Sequence, residues 1–296
     1  MNSELIIDSA ASEVTIALLE EKRLVELNTE KKEHNFSVGD IYLGRVKKLM
    51  PSLNAAFVDI GYEKDAFLHY LDLGPQVQSL MKFMKGTTSG KQPEAVLTNF
   101  VTEPDIQKSG KVSQVLSANM MLMVQIAKEP ISSKGPRITS EISLPGRYVV
   151  LMPFSDSLSV SSKIKSAAER TRLKRLAQSI VPRNFGIIVR TVAEGKKVAD
   201  LDQDIQDLMA RWESLHAQLK TAQPPARLLG EIDRTSTILR DTLNADFNSI
   251  HVNDVQLYEE IRTYIKAKAP EQVDIVKLYK GKIPIFEFTG VDKQIK

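Results

Sequence analysis

The stretch "GDIYLGRVKKLMPSLNAAFVDIGYEKDAFLHYLDLG", running from Gly39 to Gly74, decides the fold. Three strand-like runs follow one another at short spacing, and Gly39, Gly44 and Gly61 punctuate them. Short, closely spaced strands with glycine at the bends are the pattern of a small β-barrel. In "NAAFVDIG" the two-residue period puts Val58 and Ile60 on one face and Phe57 and Asp59 on the other. With Val58 pointing into the barrel, Phe57 points away from its core, and Phe67 closes the next strand. Two aromatic rings on the open face of such a barrel could stack bases, with nearby lysines on phosphates. Alternatively, either ring packs under the loop after Leu73. The pattern alone does not choose.

Working outward, "ELIIDSAASEVTIALLEEKRLVELNTEK" alternates apolar and polar residues in three runs, a hairpin or meander with "LEEKR" as one turn. After the barrel stretch, "GPQVQSLMKFMK" predicts a short helix, "GTTSGKQPEA" a surface loop and "MMLMVQIAKEP" a strand. The whole segment from Gln76 to Gly110 thus separates two strand-like stretches. "SAAERTRLKRLAQSIVP" reads as a basic amphipathic helix stopped by Pro182, and "NFGIIVRT" as a strand. Leu201, Ile205, Leu208, Trp212, Leu215 and Leu219 recur at steps of four and three, one apolar stripe along a helix that ends at "QPPA". Beyond Arg227 the chain alternates: "TSTILRDTLN" helix, "FNSIHV" strand, "DVQLYEEIRTYIKAKAP" helix capped by Asp254, then strand-like "IVKLYKG" and "IPIFEF". "GVDKQIK" reads as the start of a further helix.

A chain of 296 residues predicts two or three domains. The net charge of +3 is too small to announce nucleic-acid binding, so local clusters must carry that case. The chain has no cysteine, which excludes disulfides and cysteine-bound zinc here and points to the cytoplasm. No signal-peptide pattern opens the sequence, and no apolar run of about 18 residues predicts a membrane span.

No catalytic constellation emerges from the residues. Asp200, Asp204 and Asp207 share one helix face; a metal site is conceivable, but acids near a helix N-terminus are favoured by the macrodipole, and a solvated face is the reading taken. Asp8 ends the strand "LIID" as a nuclease acid might, without further carboxylates to converge on a metal. His34, His69, His216 and His251 are scattered without ligand spacing. "EGKK" lacks the glycine and the Ser or Thr of a P-loop. "VRTVAEGKK", from Val189, sets Arg190 and Thr191 at the end of an apolar run, where the pair either faces water or holds a phosphate.

Four blocks carry a resemblance: "GDIYLGRVKKLMPSLNAAFVDIGYEKDAFLH", "SSKGPRITSEISLPGRYVVLMP", "GIIVRTVAEGK" and "KLYKGKIPIFEFTGVDKQI". In order and content the chain resembles the bacterial ribonuclease E/G family, nearer its ribonuclease G branch. The segment 76–110 is longer than usual for it. The resemblance implies a multidomain α+β fold. Residues 1–37 and 236–296 would form a split ribonuclease-H-like subdomain. Residues 38–140 would form an OB-fold RNA-binding barrel, and 141–235 a 5′-sensor subdomain. It also implies that the catalytic, magnesium-binding aspartates and a zinc-binding cysteine pair lie after Lys296. The chain would then be the N-terminal part of a longer enzyme, with no catalytic or metal-binding residue and no cofactor of its own.

Residue by residue, the resemblance implies that Phe57 and Phe67 stack RNA bases and that Lys128 and Lys134 line the RNA channel. Arg190 and Thr191 would grip a 5′-monophosphate, with Gly146 and Val150 as the pocket wall. Where the family often has an arginine beside a second basic residue, this chain has Ser162 followed by Lys163, so only Lys163 keeps a charge there. The implied activity is magnesium-dependent endonucleolytic hydrolysis of single-stranded RNA by a cytoplasmic homo-oligomer, in rRNA processing and RNA decay. The rivals are a stand-alone RNA-binding or regulatory module without a catalytic half, and a nuclease centred on Asp8.

Overall fold

A computed structural model describes residues 3–31, 36–230, 234–243 and 247–295. His34 lies outside them. By internal contacts the chain divides into two units, Met1–Asn35 with Ile232–Lys296, and Phe36–Glu231.

The first unit opens with β1 (Ser3–Ser9), β2 (Glu13–Glu20) and β3 (Arg23–Lys31), an antiparallel meander. Glu21 and Lys22 take positive φ at the β2–β3 turn, as a two-residue hairpin requires.

The second unit begins with the barrel. Its strands are β4 (Ile41–Met50), β5 (Ala55–Asp59) and β6 (Ala66–His69). Helix α1 (Val77–Thr88) follows, then β7 (Met121–Lys128) and β8 (Arg137–Thr139). The order β4-β5-β6-β8-β7 closes because β7 also pairs with β4. Val46, Val58, Leu68, Val124, Ile126 and Ile138 fill the interior and are fully or almost fully buried. Phe57 belongs to neither core cluster of this unit and stays half-buried on the outside, as the two-residue period from Val58 requires.

A second sheet follows: β9 (Leu144–Pro145), β10 (Val149–Pro153), β11 (Leu158–Val160) and β12 (Phe185–Val189), ordered β11-β12-β10-β9. Helix α2 (Ala167–Ile180) lies between β11 and β12, and α3 (Val198–Leu219) follows β12. Ser166 caps α2, its hydroxyl accepting the Glu169 N–H at 3.2 Å. All six residues of the α3 stripe are buried. Trp212 stacks on Phe83 of α1 at 5.2 Å and donates its indole N–H to the Ala95 carbonyl at 2.8 Å. The barrel and this sheet share one core, since Ile41, Leu43 and Met123 lie in the same apolar cluster as Leu151, Ile187 and Trp212. β13 (Ala226–Leu229) then adds to β4 as a sixth strand of the barrel sheet.

The chain re-enters the first unit with α4 (Arg234–Thr242), β14 (Phe247–Val252), α5 (Val255–Lys268) and β15 (Val276–Leu278). The sheet order is β15-β14-β1-β2-β3, parallel from β15 to β1 and antiparallel beyond. Asp254 caps α5, accepting the Leu257 N–H at 2.8 Å. "LII" in β1 is continuously apolar because both faces are covered. Leu5 and Ile7 meet the cluster of α4 and α5, and Ile6 meets Ile285, Phe286 and Val291.

One expectation fails here. "IPIFEF" is not a strand: Ile285–Thr289 form a short helix, α6, after Pro284, with Gly290 at φ +74° receiving the end. A short, mostly apolar run cannot distinguish the two periods, and burial of the adjacent pair Ile285 and Phe286 selects the helix. Among the described residues "GVDKQI" is a hydrogen-bonded turn, in which the Gln294 and Ile295 N–H groups donate to the Val291 carbonyl at 2.8 and 3.1 Å. No helix among the described residues is long and apolar enough to cross a membrane.

Candidate functional site

The barrel exterior collects an aromatic and basic row by strand register alone. Lys48 of β4 pairs with Phe57 of β5, Phe57 with Phe67 of β6, Phe67 with Arg137 of β8, and Arg137 with Lys128 of β7. Directly paired residues share a sheet face, so five side chains line up across five strands. The Phe57 and Phe67 rings meet edge to face with centroids 5.9 Å apart, and both remain half-buried. Neither packs in the barrel's apolar cluster. Arg137 is held in a two-pronged pair with Asp72, at 2.9 and 3.0 Å. Lys128 is exposed at the end of β7, and Lys134 is exposed in the β7–β8 turn, three residues before Arg137. Lys48 and Arg137 are the members that the sequence did not reveal. Only the pairing of distant strands brings them into the row.

The second site forms at the C-terminal end of β12. The Arg190 N–H donates to the Tyr148 carbonyl at 2.8 Å, and its Nη1 donates to the Gly146 carbonyl at 2.7 Å. Val150 pairs with Ile188, two residues before Arg190, and both are half-buried on the same side of the sheet. The Thr191 hydroxyl lies 2.9 Å from the Ser161 hydroxyl. The Lys163 N–H approaches that same Ser161 hydroxyl at 3.4 Å, and the Lys163 side chain is exposed. Gly146, Val150, Arg190 and Thr191 thus assemble around one strand end, with the Ser161–Lys163 turn beside Thr191.

What holds this turn is Asp204, and here the solvated-face reading is wrong. Asp204 is 6% exposed. Its carboxylate accepts the N–H groups of Arg147 at 3.0 Å, Tyr148 at 2.7 Å and Val149 at 3.0 Å. A Cβ on Gly146 would lie 2.5 Å from the Asp204 Oδ2, so only glycine lets the turn close on the acid. The signal was present: Asp204 lies three residues after Leu201 and beside Ile205, on the buried flank of the stripe. Asp200 accepts the Lys197 N–H at 2.9 Å at the helix start, and Asp207 accepts from Gln203 at 3.1 Å.

The loop after Thr191 is tied back to α2. Glu169 receives two Arg172 donors at 2.7 and 2.6 Å and the Gly195 N–H at 2.8 Å, and Arg172 donates to the Lys196 carbonyl at 2.9 Å. The Arg172 hydrogen bonds, then the Gly195 N–H, lower the Glu169 carboxyl to about 2.

The remaining chemical candidates have neighbours within the fold. Asp8 accepts from the Asn253 amide at 2.6 Å. His69 accepts the Leu71 N–H at 3.2 Å. Buried His216 lies 3.1 Å from the Gln92 carbonyl, and burial lowers its pKa, as burial also does for His251. Among the described residues no three His, Cys, Asp or Glu side chains gather as a metal site.

The family model of the Ribonuclease E/G family matches residues 143–296, more than half of the chain. Ribonuclease G of Escherichia coli is 32% identical over 296 residues, covering all of this chain and 57% of that protein. Ribonuclease G of Haemophilus influenzae is 31% identical over 293 residues, 99% of this chain and 56% of that protein. Ribonuclease E of Nostoc sp. is 32% identical over 285 residues, 95% of this chain and 37% of that protein. The chain therefore spans about half the length of the ribonuclease G relatives and less of the ribonuclease E relative. Match and identity together make the conclusion plain: the chain belongs to the ribonuclease E/G family.

Proposed function

We propose that this chain is the RNA-binding and 5′-monophosphate-sensing part of an endoribonuclease that cleaves single-stranded RNA. The observation that carries the reading is the row Lys48, Phe57, Phe67, Arg137 and Lys128 on the barrel exterior. Aromatic faces accept any base by stacking, and flanking cations meet the phosphates. Lys134 extends the basic flank. Arg190 supplies the end recognition. The Gly146 carbonyl orients its guanidinium, a two-pronged donor suited to phosphate oxygens, with the Thr191 hydroxyl beside it. Val150 and Gly146 form the wall, and Lys163 adds charge.

In this reading the unit Met1–Asn35 with Ile232–Lys296 is a ribonuclease-H-like support. Its mixed five-stranded sheet fits that role, and so does an Asp8 engaged with Asn253. The whole enzyme would be a cytoplasmic homo-oligomer acting in rRNA processing and RNA decay, using magnesium for hydrolysis and zinc at its oligomer link. The described residues of this chain do not fit either metal, since they gather no ligand set and the chain has no cysteine. The test is anisotropy titration of the 296-residue chain with matched single-stranded and duplex RNAs. Single strands should bind more tightly, with affinity falling as salt rises. Equal binding of duplex, or affinity unchanged in Phe57→Ala and Phe67→Ala, would reject the reading.

A further inference from the structure

The segment between β6 and β7 carries a second basic groove. Helix α1 turns Leu80, Phe83 and Met84 into the core and packs Met81 against the barrel cluster, which leaves Lys82 and Lys85 on its outer flank. The chain returns alongside it and encloses a groove of about 710 Å³, lined by Lys82, Lys85, Lys91, Asn99 and Phe100 among others. Lys82 is engaged by the Glu103 carboxylate at 2.6 Å and the Val101 carbonyl at 2.9 Å. Lys85 and Lys91 are exposed, and neither has an ion-pair partner among the described residues. The Phe100 ring packs on Phe154 at 5.4 Å and edge-on to Phe83 at 6.1 Å, has the Lys82 ammonium 5.6 Å from its centroid, and stays half-buried at the groove wall.

This groove joins the barrel exterior. A neighbouring hollow of about 440 Å³ shares Met81 and Lys85 with it and reaches Arg45, Met120 and Met121. Arg45 and Met121 are register partners on β4 and β7. On β4, Arg45 pairs with Asp59, and Lys48, three residues on, pairs with Phe57. A continuous band thus runs from the aromatic row, past Arg45 and the methionines, to Lys85 and Lys91.

We propose that this band is a second contact surface for single-stranded RNA. A strand stacked on Phe57 and Phe67 continues past Arg45, setting its phosphates against Lys85 and Lys91 and a base against Phe100. The cations lie along a groove and do not converge, which suits a polyanion better than one compact anion. Met121, the exposed methionine of the band, is soft enough to adapt to any base. The proposal rests on the RNA-binding reading of the barrel and adds a path that the barrel alone does not provide.

Lysine-acetylation footprinting of the chain with 5′-hydroxyl RNAs of about 4 and about 16 nucleotides, the range of site sizes for one barrel of this type, tests it. The long RNA should protect Lys85 and Lys91 several-fold, while the short one protects Lys128 alone of these three. Lys85→Ala combined with Lys91→Ala should abolish the gain in affinity with length. It should also flatten the dependence of log affinity on log salt by about 1.4, at ~0.7 per single-strand phosphate contact. Unchanged acetylation of Lys85 and Lys91 under the long RNA overturns the proposal. So does equal protection by polyglutamate, which would assign the groove to an acidic protein segment. Failure of the barrel reading looks different: the short RNA leaves Lys128 unprotected and Phe57→Ala binds like the parent, and the continuous path falls with it.

Discussion

The barrel row and the Arg190 turn are built in opposite ways. In the row, register sets half-exposed rings and exposed lysines side by side, and the barrel's stability comes from the residues pointing the other way. At the turn, Arg190, the proposed recognition group, is the outermost link of a buried polar chain: Asp204 holds three N–H groups, they shape the turn at Gly146, and its carbonyl holds Arg190. A site of the first kind can lose a side chain and keep its fold. A site of the second kind depends on a residue that no ligand touches.

The largest expected effect comes from breaking that chain. Asp204→Ala leaves three buried donors without their acceptor and should cost about 3–5 kcal/mol of stability, the range for removing one partner of a buried charged network. Asp204→Asn should lose less, since a carbonyl oxygen at the Oδ2 position still accepts from Tyr148 and Val149. Denaturant unfolding measures both. Phe57→Ala should lose about 1 kcal/mol or less by the same assay. If the two alanine variants lose equal stability, the contrast between the sites is void.

Next in size is RNA affinity at the barrel. Phe57→Ala and Phe67→Ala should each weaken single-strand binding by about 1–3 kcal/mol, the range for one stacked base. Because the two rings touch, the double variant should lose less than the sum. Strict additivity would mean that the rings act on separate bases.

Smaller still is the end preference. Arg190→Ala should erase the advantage of 5′-monophosphate over 5′-hydroxyl RNA, a factor of about ten or 1.4 kcal/mol, and leave binding of internal RNA at the barrel mostly intact. Arg190→Lys should restore the advantage only in part, because a point charge lacks the two-pronged geometry. A preference that survives in Arg190→Ala would remove Arg190 from the role.

The same contrast explains what the sequence could say. The alternation in "NAAFVDIG" places Phe57 outside once Val58 is inside, and the α3 stripe is legible from its spacing. Those are local periodicities. Lys48 and Arg137 join the row through pairing between strands remote in sequence, which no single segment encodes. Asp204 was misread because a carboxylate near a helix start reads as solvated; its place on the flank of the stripe hinted at burial, but its partners lie nearly sixty residues earlier in the chain. "IPIFEF" was misread although Pro284 and Gly290 bracket it as helix start and stop signals, since a short, mostly apolar run fits both periods.

The smallest effect concerns acid. Glu169 fastens the loop after Thr191 to α2 through Arg172 and the Gly195 N–H, and its carboxyl is lowered to about 2. A carboxyl lowered on folding contributes stability that is fully present above its unfolded value, about 4.3. That contribution fades as pH falls from there through about 2. Between pH 5 and 8 Glu169 stays ionised, so this fastening gives the end preference no pH dependence. The ligand does titrate there, because a phosphate monoester gains its second charge near pH ~6. The advantage of the 5′-monophosphate should therefore grow from pH 5 to 7 in the parent. Glu169→Gln should retain the same profile at a uniformly lower level, since the loop is loosened at every pH. Competition binding at three pH values separates the two contributions. A Glu169→Gln profile that coincides with the parent would show that the loop needs no fastening. A flat profile in the parent would show that Arg190 reads shape and not the second charge.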